Sequence, residues 1–179
     1  MNSKYEISTK ENREFLKASC EELLNFGHRF PSPNGGSYYL GDDGTPWKDR
    51  NRETWITCRM AHVYSLGLML GHEGSGELVD AALKGLKGEL HDEKNGGWYA
   101  GVTQEGGIVP NKQCYAHAFV ILAASSALTA GRPGAKELLE EALAVYDRHF
   151  WNEEEGLACD TWNTEFTVLD DYRGLNAYM

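Results

Sequence analysis

The sequence predicts an all-α fold of three helical hairpins, which would make up one half of a barrel of six hairpins. Two observations support this prediction. A weak repeat of about 60 residues runs through the chain, and repeats of that size usually correspond to stacked units of secondary structure. Within each repeat, an amphipathic segment precedes a long loop and a segment with little charge, as alternating outer and inner helices would. An open solenoid is the alternative architecture for the same pattern.

A loop that combines glycine with aromatic residues marks each repeat. It reads Gly-Gly-Ser-Tyr-Tyr at residues 35–39 and Gly-Gly-Trp-Tyr at residues 96–99, and a degenerate third copy follows at residues 156–159. The aromatic and β-branched content of residues 37–40 and 98–103 is compatible with short hairpins inside the loops. No strand alternation covers the segments between the loops.

Amphipathic segments precede the three loops, at residues 11–26, 77–90 and 135–150. In the second of these, Leu78, Ala82, Leu86 and Leu90 recur every four residues. That spacing places them in one stripe along a helix. The three segments are therefore predicted to be outer helices.

Segments with little charge follow the loops, at residues 55–70 and 115–130, and a third begins near Tyr172. Helices of this composition are buried on most sides, so we predict that they are the inner helices. Gly71 and Gly131 follow the first two segments and are suited to end a helix, because glycine readily adopts the left-handed conformation found there.

Charge and composition exclude several classes of function. Acidic residues outnumber basic residues by 27 to 17, which gives a formal net charge of -10 and argues against a nucleic-acid or anionic-membrane partner. No apolar run approaches the roughly 20 residues that span a bilayer, and the polar start lacks a signal-peptide core. The scattered cysteines form no metal-ligand spacing. We therefore expect a cytoplasmic protein with reduced thiols.

Arg59 is the first candidate for chemistry, because an arginine inside an apolar helix is rarely buried unless it is paired. One interpretation is an ion pair with an acid such as Glu53, and the other is a guanidinium that holds substrate oxygens in a polar cavity. Trp55 lies one turn earlier on the same face. Its ring suits stacking on a sugar, although packing in the core is the commoner role of a tryptophan.

Tyr115 begins the second predicted inner helix, where polar ligand contacts are common. His62 and His117 both follow an alanine in an inner helix, which suggests equivalent places in two repeats. A lone helical histidine is more often a satisfied core group than a base. Neither histidine belongs to a metal-binding motif, so no metal site is expected.

Asp170 and Asp171 raise a rival interpretation, a glycoside hydrolase on an (α/α)₆ barrel, since such enzymes use paired carboxylates. Acidic residues also favour the first turn of a helix without any catalytic role. A second rival is a non-catalytic truncated or split module that binds a sugar or a partner half.

Three segments carry a family resemblance. They read Glu-Thr-Trp-Ile-Thr-Cys-Arg-Met at residues 53–60, Pro-Asn-Lys-Gln-Cys-Tyr-Ala-His-Ala-Phe at residues 110–119, and Asp-Tyr-Arg-Gly-Leu-Asn-Ala-Tyr-Met at residues 171–179. The chain resembles the N-acylglucosamine 2-epimerase superfamily, most closely its aldose–ketose isomerases of mannose and of sulfoquinovose. The resemblance extends over essentially the whole chain, with the three motifs in the family's order.

The resemblance implies that residues 1–179 are the N-terminal half of one (α/α)₆-barrel domain, truncated within the sixth helix. It also implies a sugar bound in the barrel mouth and proton transfer by histidines without metal or cofactor. Arg59, Tyr115 and Asn176 match sugar-contacting positions of the family, and Trp55 matches an aromatic residue of the pocket wall.

The family's third motif ends in Asn-Ala-Asn-Met-His, whereas this chain reads Asn-Ala-Tyr-Met at residues 176–179. By resemblance, the catalytic histidine would follow Met179, and the other acid–base groups would lie in the second half. We therefore expect no catalytic residue in this chain and no activity from it alone. The expected partners are a small sugar and either the C-terminal half or a second copy.

The chemistry implied for the complete protein begins with removal of the proton at C2 of an opened aldose by a neutral histidine. This step gives a cis-enediol. Return of the proton to C1 completes an isomerisation, whereas return to C2 would complete a 2-epimerisation. The sequence leaves both outcomes open.

Overall fold

The structure, a computed structural model, describes residues 3–178, without the side chains of Ser3, Asn176 and Tyr178. Within that range the chain is mostly helical. The α-helices are α1 (Lys10–Gly27), α2 (Thr54–Met69), α3 (Ser75–Leu86), α4 (Cys114–Thr129) and α5 (Ala135–Val145).

The short connections between helices define the hairpins. A tight turn joins α2 to α3, and another joins α4 to α5, whereas long loops precede α2 and α4. Each hairpin is therefore an inner helix followed by an outer helix. We expected each hairpin to be an outer helix joined through a long loop to the next inner helix, and this expected pairing is wrong. Helix α1 stands before the first hairpin, so the described chain has two complete hairpins instead of three.

The two turns have the same backbone geometry. Gly71 adopts a φ of 82°, its amide donates to the Leu68 carbonyl at 3.0 Å, and the next amide donates to the Gly67 carbonyl at 2.9 Å. Gly131 repeats the pattern with a φ of 72°. This arrangement satisfies carbonyls at the end of a helix and favours glycine. The prediction that these glycines end the inner helices is confirmed.

The repeat of about 60 residues appears in the hydrogen bonds of the long loops. Each loop turns back on itself and forms an equivalent backbone hydrogen bond. The residues whose carbonyls accept these three bonds are 60 positions apart along the chain. These bonds are Tyr38 N–H to Phe30 O at 2.9 Å, Tyr99 N–H to Leu90 O at 3.0 Å and Cys159 N–H to Phe150 O at 2.7 Å. The three glycine-aromatic loops are therefore equivalent structures, including the degenerate third copy.

The loops also contain short β-strands, so the chain is mostly helical but is not all-α. Residues 39–40 and 101–102 lie in the two segments that were considered compatible with short hairpins. The strands are β1 (Tyr39–Leu40), β2 (Pro46–Trp47), β3 (Arg52–Glu53), β4 (Gly101–Val102), β5 (Ile108–Val109), β6 (Asn111–Gln113), β7 (Trp151–Asn152), β8 (Leu157–Ala158) and β9 (Thr161–Asn163). All pair antiparallel, in the combinations β1–β2, β3–β4–β5, β6–β9 and β7–β8. Strands of two or three residues are too short to show alternation in a sequence.

Strands β3 and β6 fix where the inner helices begin. Each immediately precedes an inner helix and pairs with the loop of the following repeat, with Glu53 opposite Gly101 and Gln113 opposite Thr161. The first helical amides continue this pairing, since Thr54 N–H donates to the Ala100 carbonyl at 3.0 Å. The starts of α2 and α4 are therefore held in equivalent places.

The core lies between the inner and outer helices. Trp98, from the second glycine-aromatic loop, is fully buried, and its indole N–H donates to the Leu86 carbonyl at 2.7 Å. The first loop lies so close to α3 that a Cβ added at Gly85 would be 2.2 Å from the Gly36 nitrogen, and the Gly36 amide donates to the Ala81 carbonyl at 3.2 Å. Both loops are thus anchored on α3. Cys58 and Cys114 are also fully buried.

Two predicted helices end early and a third is replaced. Helix α3 stops at Leu86, where Gly85 and Gly88 lower the helix propensity, and residues 146–150 form a π-helical turn after α5. The third inner helix does not begin near Tyr172: a 3₁₀ turn covers Leu175–Tyr178. The Asp170 carboxylate accepts the Tyr172 amide at 2.8 Å, which favours a local turn over a helix.

Among the described residues, no helix is long and apolar enough to cross a membrane.

Candidate functional site

The first two turns of α2 and α4 lie side by side and bring four side chains together. They are Trp55 and Arg59 from α2 and Tyr115 and Phe119 from α4, which we call the aromatic–arginine cluster. An interval of 60 residues separates Trp55 from Tyr115 and Arg59 from Phe119. The cluster is therefore built from equivalent positions of two repeats, each of which follows a strand that fixes the start of its helix.

The Arg59 guanidinium lies between two rings. Its central carbon is 4.8 Å from the ring centroid of Trp55 and 4.8 Å from that of Phe119. Its Nη2 donates to the Tyr115 hydroxyl oxygen at 3.1 Å. Contact with aromatic faces stabilises a cation while leaving its N–H groups available. The aromatic residues thus hold the guanidinium in one orientation.

Arg59 is exposed, and it makes no ion pair with a carboxylate in the part of the chain that the structure describes. The interpretation of Arg59 as the partner of Glu53 is therefore wrong. A guanidinium carries five N–H donors, and Tyr115 accepts one of them. The remaining donors are suited to neutral or negatively charged oxygens of a ligand.

Tyr39 and Glu53 form the rim beside this cluster. The Tyr39 ring lies edge-on to Trp55, with centroids 6.3 Å apart, and its hydroxyl donates to the Glu53 carboxylate. Burial, followed by the hydrogen bond and the charge of Glu53, raises the pKa of Tyr39 above its ordinary value. Tyr39 therefore keeps its proton at neutral and moderately alkaline pH.

Tyr39, Glu53 and Phe119 were not predicted as site residues. Phe119 lies in an apolar helix, where a phenylalanine looks like a core residue. One signal in the sequence points to it: the interval of 60 residues that relates Tyr115 to Trp55 also relates Phe119 to Arg59. Tyr39 belongs to the glycine-aromatic loop, but its pairing with Glu53 depends on tertiary structure.

Asn176 is the remaining residue predicted to bind substrate. Its backbone belongs to the 3₁₀ turn Leu175–Tyr178, and its side chain lies outside the described residues. The predicted cavity shared by Arg59, Tyr115 and Asn176 is therefore described for the first two only.

His117 serves the fold and is separate from this cluster. It is fully buried, its Nδ1–H donates to the Gln113 carbonyl at 2.7 Å, and its Nε2 accepts the Trp98 amide at 3.1 Å. Burial lowers the pKa of His117 to about 3. The imidazole is therefore neutral at physiological pH, and both of its nitrogens are occupied.

His62 and His117 do not occupy equivalent places, contrary to the expectation. Thr57 is the equivalent of His117: its hydroxyl donates to the Glu53 carbonyl at 3.0 Å and accepts the Ser37 amide at 3.0 Å. His62 instead joins the inner helices through a hydrogen bond of its Nδ1 with the Ser126 hydroxyl at 2.7 Å. The shared Ala-His dipeptide is coincidental.

A buried ion pair supports the start of α4. Lys112 and Asp92 are both buried, with Nζ and Oδ2 2.7 Å apart, and Lys112 also donates to the Gly96 carbonyl at 2.5 Å. Burial alone would raise the pKa of Asp92, but hydrogen bonds from Lys112 and Asn95 bring it below its ordinary value. The pair ties the second glycine-aromatic loop to the strand before Tyr115.

Neither a metal centre nor a pair of catalytic carboxylates is apparent in the described range. No group of three or more His, Cys, Asp or Glu side chains within residues 3–178 could hold a metal ion. Asp170 accepts the Tyr172 amide, and its own amide donates to the Thr161 carbonyl at 2.9 Å. No observation therefore favours Asp170 and Asp171 as glycosidase acids.

Comparison with known proteins places this geometry in a family. The model of the N-acylglucosamine 2-epimerase family matches residues 35–179. The chain belongs to this family. A D-mannose isomerase of Thermobifida fusca is 38% identical over 169 residues, which are 94% of this chain and 42% of that protein. The chain thus spans less than half the length of the curated relatives it matches.

Two solved structures share the fold of this chain. The chain superposes on a crystal structure of D-mannose isomerase with a TM-score of 0.82 and 25% identity, covering 92% of this chain and 44% of that one. It superposes on a cellobiose 2-epimerase of Bacillus thermoamylovorans with a TM-score of 0.77 and 22% identity, covering 89% and 43%. The aromatic–arginine cluster therefore lies on a fold that both structures share.

Proposed function

We propose that the complete protein is a sugar aldose–ketose isomerase that interconverts mannose and fructose, or a related pair such as sulfoquinovose and its ketose. One observation carries the proposal: neighbouring inner helices present an exposed arginine held between aromatic rings, in a chain that is similar over 94% of its length to a D-mannose isomerase. Aromatic faces suit the C–H faces of sugars, and a guanidinium suits their oxygens.

In this proposal Trp55 supplies a wall for the sugar ring, while Arg59 and Tyr115 contact sugar oxygens. As the proton leaves C2 of the opened aldose, negative charge develops on the oxygen at C1. A preorganised guanidinium near that oxygen lowers the energy of the enediolate more than that of the neutral aldose. Asn176 is proposed as a further contact to the sugar.

The base is proposed to be a histidine outside residues 1–179. In the described residues the inner-helix histidines are engaged elsewhere, since His117 is bonded on both nitrogens and His62 bonds Ser126. A neutral histidine takes the C2 proton, and a protonated group then delivers a proton to C1, with the C1 oxygen gaining the hydroxyl proton of C2. The product is the ketose, and neither metal nor cofactor enters the balance.

A 2-epimerase is the second candidate function, and the family to which the chain belongs favours it. The two reactions share the enediol and differ only in the carbon that receives the proton. The roles proposed for Trp55, Arg59 and Tyr115 are the same in both reactions.

The decisive experiment uses the complete open reading frame with mannose in D₂O, followed by NMR. Fructose with deuterium at C1 supports the isomerase, whereas glucose with deuterium at C2 and no fructose supports the epimerase. Parallel incubations with fructose and sulfoquinovose identify the preferred substrate. Absence of exchange and turnover with all three sugars would contradict the proposal.

A further inference from the structure

A second cavity lies behind strand β3. Successive residues of a strand point to opposite faces, and Glu53 points towards Tyr39 and the aromatic–arginine cluster. Arg52 points away from it and lines a separate cavity of about 220 Å³. This cavity is independent of the sugar site in its lining residues, and nothing in the proposed isomerisation uses it.

Three cations line this cavity although the protein carries a net charge of -10. They are Lys48, Arg50 and Arg52. Arg52 is paired with Glu89, whereas Lys48 and Arg50 form no ion pair with a carboxylate within residues 3–178. Positive charges that converge without matching carboxylates are characteristic of anion sites.

The Arg50 guanidinium is held in place by aromatic rings. Its central carbon lies 4.3 Å from the ring centroid of Trp47 and 5.8 Å from that of Tyr39. Such contacts fix the plane of the group and leave its N–H donors free for planar recognition of oxyanions. Trp47 and Tyr39 face each other across the β1–β2 pair, so the hairpin determines where Arg50 is held.

The opposite wall is also ordered. Arg52 Nη1 donates to the Gly35 carbonyl at 2.8 Å, and Asn34 Nδ2 donates to the Glu89 carboxylate at 2.8 Å. Asn34 and the side chains of Ser32 and Gln104 add neutral polar groups to the lining. Glu89 offsets the charge of Arg52 but does not line the cavity, so an excess of two positive charges faces its interior.

We propose that this cavity binds a phosphate-sized oxyanion, either inorganic phosphate or the phosphate group of a small ester. Lys48 and Arg50 supply charge that no carboxylate within residues 3–178 pairs with. The Asn34 amide donates to Glu89 and the Gln104 amide to Glu105, so each has one further N–H for the anion. Charge-assisted hydrogen bonds to phosphate oxygens are stronger than neutral ones. Inorganic phosphate and a phosphate ester would make the same contacts through their phosphate oxygens. The ester makes further contacts only if its organic part touches the lining of the cavity.

The test is titration calorimetry of the purified complete protein with inorganic phosphate, at an ionic strength held constant with chloride. Saturable binding with a dissociation constant of about 1 mM or tighter is expected. The double variant Lys48→Gln with Arg50→Gln should weaken binding by at least about tenfold. The matched control, Lys17→Gln with Lys94→Gln, removes the same charge elsewhere and should bind phosphate as the wild type does.

The source of the anion is separated by a second pair of titrations. Glycerol 3-phosphate that binds more tightly than inorganic phosphate identifies an ester, and equal or weaker binding identifies the free anion. Glycerol alone should not bind. If the double variant loses its thermal transition, the exposed single substitution Lys48→Glu gives the same comparison. No saturable heat beyond the chloride control, or undiminished binding by a folded variant, would overturn the proposal.

Discussion

Arg59 donates through Nη2 to the hydroxyl oxygen of Tyr115, 3.1 Å away, and so joins two inner helices that run in the same direction. The second link between them, from His62 to Ser126, lies further along both helices. Because Arg59 also lies between the rings of Trp55 and Phe119, removal of its side chain would separate three aromatic residues from their common contact. The effect should appear in catalysis if the cluster binds the sugar.

The first prediction is that Arg59→Ala in the complete protein lowers kcat/KM by roughly 30- to 1,000-fold, or about 2–4 kcal/mol of transition-state stabilisation. The physical reason is loss of a preorganised charged donor near the enediolate oxygen. Steady-state kinetics with mannose measure this change. Arg13→Ala removes an exposed arginine of α1 and serves as the control, with unchanged kinetics expected. Wild-type turnover by Arg59→Ala would refute the assignment.

The second prediction is that the complete protein keeps its activity after dialysis against EDTA. The sequence offers no metal-ligand spacing, and the described residues form no group of three ligands. Proton transfer between carbon atoms through an enediol can proceed with amino-acid side chains alone. Activity is measured before and after chelation. Loss on chelation together with recovery on addition of zinc or manganese would contradict the mechanism.

The third prediction is that the 179-residue chain alone does not isomerise sugars. A base must lie within roughly 3 Å of the proton that it removes, and the described part of the aromatic–arginine cluster contains no histidine. Purified chain is incubated with mannose and with fructose, and interconversion is followed by chromatography. A heat-killed sample and mass spectrometry provide the controls. Sustained turnover without detectable full-length protein would show that the catalytic groups have been misplaced.

The fourth prediction concerns pH and His117. Burial lowers the pKa of His117 to about 3 in the folded protein, whereas a histidine in the unfolded chain titrates near 6.5. Below pH 6.5 the unfolded state therefore binds a proton that the folded state excludes. The free energy of unfolding should fall as pH falls from about 6.5 towards 3, by at most about 1.4 kcal/mol per pH unit from this group.

The matched variant for this measurement is His117→Gln, which cannot titrate in this range. Urea unfolding at several values of pH gives the slope for each protein. The wild type should lose stability more steeply than the variant between pH 6 and pH 4, although the variant is less stable at pH 7. Equal slopes would mean that His117 is protonated in the folded state.

The fifth prediction is that Gly85→Ala destabilises the protein by about 2–4 kcal/mol. The added Cβ would lie 2.2 Å from the Gly36 backbone nitrogen, so helix α3 and the first glycine-aromatic loop would have to separate. Gly107→Ala is the control, because its nearest neighbour is the flexible Thr103 hydroxyl at 3.2 Å. Denaturant midpoints measure both variants. A loss of stability in Gly85→Ala that is smaller than the loss in Gly107→Ala would contradict the close packing of α3 on the first loop.

The helices were predictable from the sequence because their signals are local. The inner helices were expected at residues 55–70 and 115–130 and occur at Thr54–Met69 and Cys114–Thr129. The glycines that end them need only their own backbone geometry to be recognised. Strands β1 and β4 lie in the segments 37–40 and 98–103, for which short hairpins were considered. Strands β3 and β6 were missed, because they exist through pairing with segments that lie about 50 residues later.

The site was predictable in part. Trp55, Arg59 and Tyr115 stood out as polar or amphipathic residues in apolar surroundings, and the structure brings them together. Of the two interpretations of Arg59, the ion pair with an acid such as Glu53 is wrong, because the Glu53 carboxylate accepts the Tyr39 hydroxyl. Hydrogen bonds between side chains on different elements depend on the orientation of both. The pattern of one segment does not contain that information.

The two tight turns at Gly71 and Gly131 lie at the far ends of α2 and α4 from Trp55 and Tyr115. The end of the molecule that holds the helix pairs together is therefore distinct from the end that presents the aromatic–arginine cluster. Loop residues at the second end tolerate replacement better than helix-pairing residues do. Substitutions among residues 42–50 should therefore change the surface around Arg50 and Tyr39 while the glycine turns keep the helix pairs together.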